Sequence, residues 1–350
     1  MRAEIIADLH ISDVFNGQHV DYLQNCIDCL GMITNHIRDS KLTHLFLLGD
    51  IIGQNEKNLK QRSTLLILMR TLQEWNNMTR NNYLEELYKR LQEGKISEEF
   101  YRKEKETNTG NVYSVKGNHD MGNSITDFEM FVNLGLIKVE DTVDVDYVRF
   151  HLVNYGEERR TLLIDESKNN IALVHNNIMV EGITTWYRGG HGIEMSTLTN
   201  FKGVELIVAG HIHDPSIKIV YGNIEDTDVA LFYPGNITRP RYEANIWEKA
   251  FGIYISTEDV EGLTLEQKVF NLKPSSELFR KTFDDISEEE IEQMPSINVE
   301  ELSAILKELQ TYSFIGNVDY KNQIVRLGGL DKEASDLALK YIEEAENIPC

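Results

Sequence analysis

Short uninterrupted apolar runs alternate along this chain with longer stretches whose apolar residues recur every three or four positions. Five runs, AEIIA (3–7), HLFLL (44–48), NVYSV (111–115), NIALV (170–174) and ELIVA (205–209), predict strands covered on both faces, because a half-exposed strand would alternate polar and apolar residues. Between them, VDYLQNCIDCLGMITNHI (20–37) and STLLILMRTLQEW (63–75) carry the helical period, the second with Ser63 or Thr64 as a candidate cap. Strands alternating with helices predict a layered α/β domain. Residues 54–111 read as a helical insertion whose charges suit solvated faces. Past residue 215 the runs SIKIVYG, DVALFYPG, KAFGIYIS and QKVFNL, broken by Gly and Pro, predict antiparallel hairpins completing a second sheet.

Near Pro274 the character changes, dividing the chain into a large domain, 1–274, and an acidic segment, 275–350. Ser287 and Glu290 form a capping box at the start of the acidic helix, and VEELSAILKELQTY and DKEASDLALKYIEEAEN follow as amphipathic helices. The stripe of Leu337, Tyr341 and Ala345 is expected to pack inside a small helical or α+β cap domain, with docking of a partner as the other use of such a face.

Composition narrows the picture. At 350 residues, 41% hydrophobic and 26% charged, the chain has ordinary globular proportions. No run approaches the roughly 20 apolar residues of a membrane span, and the N-terminus enters strand-like sequence within three residues, so neither membrane insertion nor a signal peptide is expected. Three cysteines are too few and odd for a disulfide framework, which favours the cytoplasm. Cys26 and Cys29 form a CxxC inside a helical pattern with no second pair, and burial is the expected fate of both. A net charge of −22 argues against tight binding to a polyanion by this chain alone. The charge is uneven: residues 276–350 carry 17 acidic and 7 basic side chains, whereas residues 54–111 carry 9 acidic and 11 basic.

Each of the five strands runs into potential metal ligands: Asp8 and His10; Asp50; Asn118 with His119 and Asp120; His175; and His211 with His213. Loops at the carboxyl ends of strands in layered α/β folds converge on one edge, so these side chains are expected to share a pocket. Residues two apart on extended backbone project the same way, so Asp8 with His10, and His211 with His213, would each aim two donors at a common point.

The motifs DLH, GD, GNHD, VH and GHIH, in this order over residues 8–213, resemble the five motifs of the calcineurin-like metallophosphoesterases. The resemblance implies a four-layer α/β/β/α sandwich of two mixed sheets. It also implies two divalent cations, one held by Asp8, His10, Asp50 and His213, the other by Asp50, Asn118, His175 and His211, with Asp50 as the bridge. Nitrogen and oxygen donors without thiolate suit manganese, iron or zinc, and the family leans toward manganese. Such a pair would acidify water and neutralise charge at phosphorus. His119 then remains as the acid for the leaving oxygen, with Asp120 holding the ring's other nitrogen.

The protein serine/threonine phosphatases of this superfamily carry GDxxDRG, whereas this chain reads GDIIGQN. The sequence is more similar to the nuclease branch, the SbcD-type exonuclease subunit and the recombination endonuclease subunit of T-even phages. That similarity is carried by FYPGNITRP after GHIH, with Arg239, by the HG at His191 and Gly192, and by the acidic helical C-terminal segment. Arg239 and His191 become candidate substrate contacts. The branch implies DNA as substrate, recombination or repair as setting, and an SbcC-like ATPase and a second copy of the chain as partners. Ile52 and Gly53 depart from the branch, which often has an aromatic residue followed by Asp or His after GD. Lys57, Lys60, Arg62 and Arg70 in the insertion are candidates to line a DNA path. The alternatives are a small-nucleotide phosphodiesterase or phosphatase, which tolerates an acidic surface, and a non-enzymatic scaffold, which would be expected to lose ligand positions.

Overall fold

The computed structural model describes residues 1–12, 21–53, 59, 61–122, 125–180, 192–213, 219–238, 249–257 and 263–278. The chain separates into two compact units, Met1–Arg280 and Lys281–Cys350, and all described residues belong to the first. The capping box at Ser287, the amphipathic C-terminal helices, His191, Arg239, Lys57 and Lys60 lie outside the described residues.

Two mixed sheets face each other. The first has the order β13-β12-β1-β2-β3, built from β1 (Arg2–Ile6), β2 (His44–Leu48), β3 (Val112–Val115), β12 (Lys249–Ser256) and β13 (Thr264–Asn271). The second has the order β10-β11-β9-β6-β5-β4, from β4 (Thr142–Val145), β5 (Val148–Val153), β6 (Asn169–His175), β9 (Leu206–Gly210), β10 (Val220–Ile224) and β11 (Thr227–Phe232). The hairpins expected past residue 215 form, but they divide: β10 and β11 extend the second sheet, while β12 and β13 return to the first against β1. The first sheet is thus antiparallel on one side (β13-β12-β1) and parallel on the other (β1-β2-β3), whereas the second has antiparallel edges around a parallel centre.

The period-two rule sorts the core into layers. Ile5, Phe46, Leu48 and Val115 face Phe150, Ile171, Leu173 and Val208 between the sheets. Ile6, Leu45, Leu47 and Val112 face the other way, onto α1 (Tyr22–Asp39), α2 (Arg62–Gln92) and α4 (Asp127–Asn133). On the far side of the second sheet, Ala172, Val174, Ile207 and Ala209 meet Ile178, Met195, Leu198 and Phe201. Among the described residues that outer layer consists of a short ribbon, β7 (Ile178–Met179) with β8 (Ile193–Glu194), and two 3₁₀ turns.

The helices follow their apolar stripes. In α1, Tyr22, Cys26, Cys29, Leu30, Ile33 and Ile37 are buried, and Asp21 caps its start by accepting from the Gln24 N–H at 3.0 Å. Burial pushes the Cys26 thiol up to about 12, and Cys29 Sγ donates to the Ile237 carbonyl at 3.3 Å, so both cysteines serve packing. In α2 the buried line is Leu68, Leu72, Trp75 and Thr79, with Trp75 Nε1 donating to Thr34 Oγ1 at 2.8 Å. Each buried Leu contributes about 1.5–3 kcal/mol relative to exposure. Ser63 and Thr64 do not cap α2: the helix begins earlier, at Arg62, with Gln61 at the N-cap and no side-chain bond there. Thr64 is instead buried on the first turn of the helix. The insertion's second helix, α3 (Glu98–Thr107), buries no residue, in keeping with its dense charge.

Candidate metal centre

The five ligand-bearing segments leave two sheets rather than one. β1, β2 and β3 deliver Asp8, His10, Asp50 and Asn118 from the first sheet, and β6 and β9 deliver His175, His211 and His213 from the second. The pocket therefore lies where the carboxyl ends of both sheets meet, not along the edge of a single sheet. Face-to-face packing of the sheets brings Asp8 and His211, 203 positions apart, into contact.

Plain strand alternation does not set the paired ligands, because the backbone is no longer extended where they sit; Asp8 and His10 still aim at one point, whereas His211 and His213 do not. Asp8, His10, Asp50 and His211 take φ of 52°, 45°, 47° and 79°, the left-handed region that L side chains avoid. Such conformations persist only when surrounding bonds enforce them. The His10 N–H donates to the Asp50 carbonyl at 2.8 Å, and the His211 N–H donates to the Asp8 carboxylate at 3.0 and 3.1 Å. The His119 N–H donates to Asp50 Oδ1 at 2.9 Å. Each ligand loop is thus hydrogen-bonded to another. His211 and His213 consequently join different groups: donor atoms of Asp8, His10 and His213 lie within 4.8 Å of one another, and so do those of Asp50, His175 and His211.

Asp50 stands between the groups. Its Oδ2 is 3.2 Å from His175 Nε2 and 3.7 Å from His10 Nε2. Asn118 Oδ1 completes the second group, 3.0 Å from His175 Nε2 and 3.1 Å from His211 Nδ1. The Leu48 carbonyl, 2.5 Å from His175 Nδ1, accepts the proton of that nitrogen, so a neutral His175, the form that binds a cation, would turn its Nε2 lone pair toward Asp50 and Asn118. His10 Nε2 lies 3.0 Å from His213 Nε2 and 4.0 Å from Asp8 Oδ1. Lone pairs of nitrogen and oxygen therefore converge, and one shared proton at most separates the two imidazoles. His10 Nδ1 is buried without a hydrogen-bond partner. A donor set so rich in acceptors fits divalent cations, whose charge relieves the repulsion.

Charge on these side chains follows from burial and crowding. Burial pushes the Asp8 carboxyl up to about 8 despite the opposing pull of His175. Burial and then the like charge of Asp50 push Asp120 up to about 7. Asp50 resists its own burial because His175 and His10 hold it below the usual carboxylate range. Burial would lower His175, but the Asp50 and Asp8 carboxylates carry it to about 9, whereas burial and the neighbouring His175 press His211 down to about 4.

Asp120 is buried among these ligand loops. Its Oδ1 accepts from the Ile51 N–H at 3.1 Å and its Oδ2 from the Gly117 N–H at 3.0 Å. With both oxygens turned to backbone amides, it fastens the loop after β2 to the loop after β3. His119 is half-buried, its ring 5.4 Å from that of His10 and edge-on to it. Gly117 has a steric reason: a Cβ there would stand 2.2 Å from Asp50 Oδ1 and 2.4 Å from Asp50 N. Sequence reasoning missed Tyr155, just past β5, whose ring lies 6.1 Å from His211 and 6.4 Å from His175. The alternating run VRFHLV marks β5 and was the available signal.

Residues 1–215 match the model of the calcineurin-like phosphoesterases, and the chain belongs to that family. A structure described as the structural and functional characterization of a novel archaeal phosphodiesterase is 13% identical, with 77% of this chain and 100% of that one covered and a TM-score of 0.36. A hypothetical protein from Thermus thermophilus is 12% identical over 78% of this chain and 100% of that one, with a TM-score of 0.38. Neither likeness carries an inference about this chain. No curated protein matches it. Among the described residues no helix is long and apolar enough to cross a membrane.

Proposed function

We propose that this phosphoesterase hydrolyses phosphodiesters of DNA with two divalent cations, manganese foremost, as the nuclease subunit of an assembly with an SbcC-like ATPase. The observation that carries the hydrolytic part is Asp50, with one oxygen facing histidines of both donor groups and the other bonded to the amide of His119. Asp8, His10, Asp50 and His213 would hold one cation, and Asp50, Asn118, His175 and His211 the other. Bound there, the cations would supply acidified water and neutralise charge gathering on the phosphoryl oxygens.

The chain's own residues do the remaining work. Asp50 and Asp8 fix the ligand loops through backbone amides, so the donors are in place before substrate arrives. His119, half-buried beside His10, gives its ring proton to the departing oxygen and recovers one from water. Asp120 positions His119 by holding Gly117 and Ile51. The DNA reading is supported by the GHIH and FYPGNITRP segments, and the net charge of −22 supports a partner that supplies grip on the phosphate backbone.

The deciding assay offers the full chain, with manganese, single-stranded and duplex DNA beside nucleotide monoesters and cyclic diesters. Preferential cleavage of DNA is expected. Turnover of the small nucleotides with DNA left intact would transfer the assignment to a small-nucleotide enzyme.

A further inference from the structure

Tyr155 combines partial exposure with a firmly hydrogen-bonded backbone beside the candidate metal centre. About 36% of the residue is open to solvent, yet its ring leans on His211 at 37° between planes and meets His175 edge-on at 69°. Its backbone is fastened to the residue that precedes the GNHD motif: the Tyr155 N–H donates to the Lys116 carbonyl at 2.8 Å, and Asn154 Oδ1 accepts from the Lys116 N–H at 2.8 Å. On the other side Gly156 takes φ of 83° and donates its N–H at 2.8 Å to Glu158 Oε1, which also accepts from Asn176, the neighbour of His175. Glu158 is itself buried, at 8% exposure. One loop is thereby locked at three points to segments that carry ligands.

A single exposed aromatic on a surface needs no explanation. An aromatic whose backbone is fastened on both sides, its ring beside two candidate ligand histidines and about a third of the residue open to solvent, offers a flat surface next to the donor groups. A nucleobase is the flat group attached closest to a nucleic acid phosphate, and base stacking on aromatics is strong and tolerant of sequence. We propose that Tyr155 is the platform on which the nucleobase beside the scissile phosphate stacks, so that the enzyme selects nucleotide diesters over diesters without a base. This rests on reading the site as a phosphodiesterase.

The test compares the full-length wild type, Tyr155→Ala and Tyr155→Phe, loaded with manganese, on thymidylyl-thymidine and on the same diester with both bases replaced by hydrogen. Tyr155→Ala should lower kcat/KM for the base-bearing diester about 5- to 100-fold, mainly through KM, and leave the abasic diester unchanged. Tyr155→Phe should keep wild-type behaviour, and manganese content should match in all three. Equal losses on both diesters, failure of Phe to rescue, or loss of manganese in Tyr155→Ala would reduce the ring to a support for the histidines and overturn the proposal. Should the wild type cleave neither diester, the phosphodiesterase reading falls by itself. Calorimetric binding of thymidine monophosphate then decides the platform: weaker binding by Tyr155→Ala upholds it, and equal binding overturns it.

Discussion

His119 and Gly117 sit two residues apart and make different demands on a substitution. His119 is assigned proton transfer, not metal binding, so His119→Asn should lower kcat by about 100- to 10000-fold while manganese content, measured by elemental analysis, stays at the wild-type level. Loss of the metal along with turnover would move His119 into the ligand set. Gly117→Ala should lower rate and metal affinity together. A methyl 2.2 Å from Asp50 Oδ1 must displace the carboxylate between the two donor groups, and a shift of that order costs about 100-fold or more in rate. Metal affinity should fall with it, as a titration of manganese against activity would reveal. At this scale the sequence was legible in kind but not in geometry. The residue types of DLH, GNHD and GHIH gave the donors, while the left-handed backbone at Asp8, His10 and His211 arises from bonds to distant loops that no local pattern encodes. Asp120 shows the same limit, since its partners, Ile51 and Gly117, depend on how two loops meet.

The helices hold these loops from behind. Tyr22, on the first turn of α1, donates its hydroxyl to the His10 carbonyl at 2.8 Å, and Asn25, one turn on, donates to the Thr238 carbonyl at 2.6 Å. The insertion is anchored at its far end: Arg90 of α2 forms a two-pronged bond to Asp146, at 2.6 and 3.0 Å, in the turn between β4 and β5. Asp146 also receives the Met1 amine at 3.0 Å and the Thr257 hydroxyl at 2.7 Å. Burial alone would raise its pKa, but Arg90 and the Met1 ammonium outweigh burial and hold it below the usual carboxylate range. A carboxylate depressed by folding contributes stability that is complete above its unfolded value, near 3.9, and fades as pH falls through the folded value. Asp146→Asn should therefore cost about 2 kcal/mol at pH 7, with the gap between variant and wild type closing below about pH 4 in denaturant titrations. A gap that widens in acid would contradict this assignment. The long uniform runs of β2, β6 and β9 were readable because both faces are buried, whereas β4, a short edge strand, carries the exposed Asp144, and β5, though nearly all buried, has its apolar run broken by Arg149 and His151.

At the scale of the whole molecule, two sheets contribute ligands to one centre, and that division was hidden in the sequence because strand order is a tertiary property. Motif order gave the family, yet it said nothing of β12 and β13 crossing back to the first sheet. The excess of acid over base in residues 276–350 is consistent with the proposed docking role for the C-terminal segment. Deleting residues 318–350 should abolish copurification with an SbcC-like ATPase, and undiminished copurification would remove that role. Asp50 serving both donor groups is the point on which the proposed chemistry turns. The most direct measurement is the number of manganese ions bound per chain, by elemental analysis of wild type and Asp50→Asn, alongside diester cleavage by each. Two ions per wild-type chain, with the variant retaining at most one and losing cleavage, is the predicted result. A single ion in the wild type, or a variant that keeps both ions and cleaves normally, would contradict it.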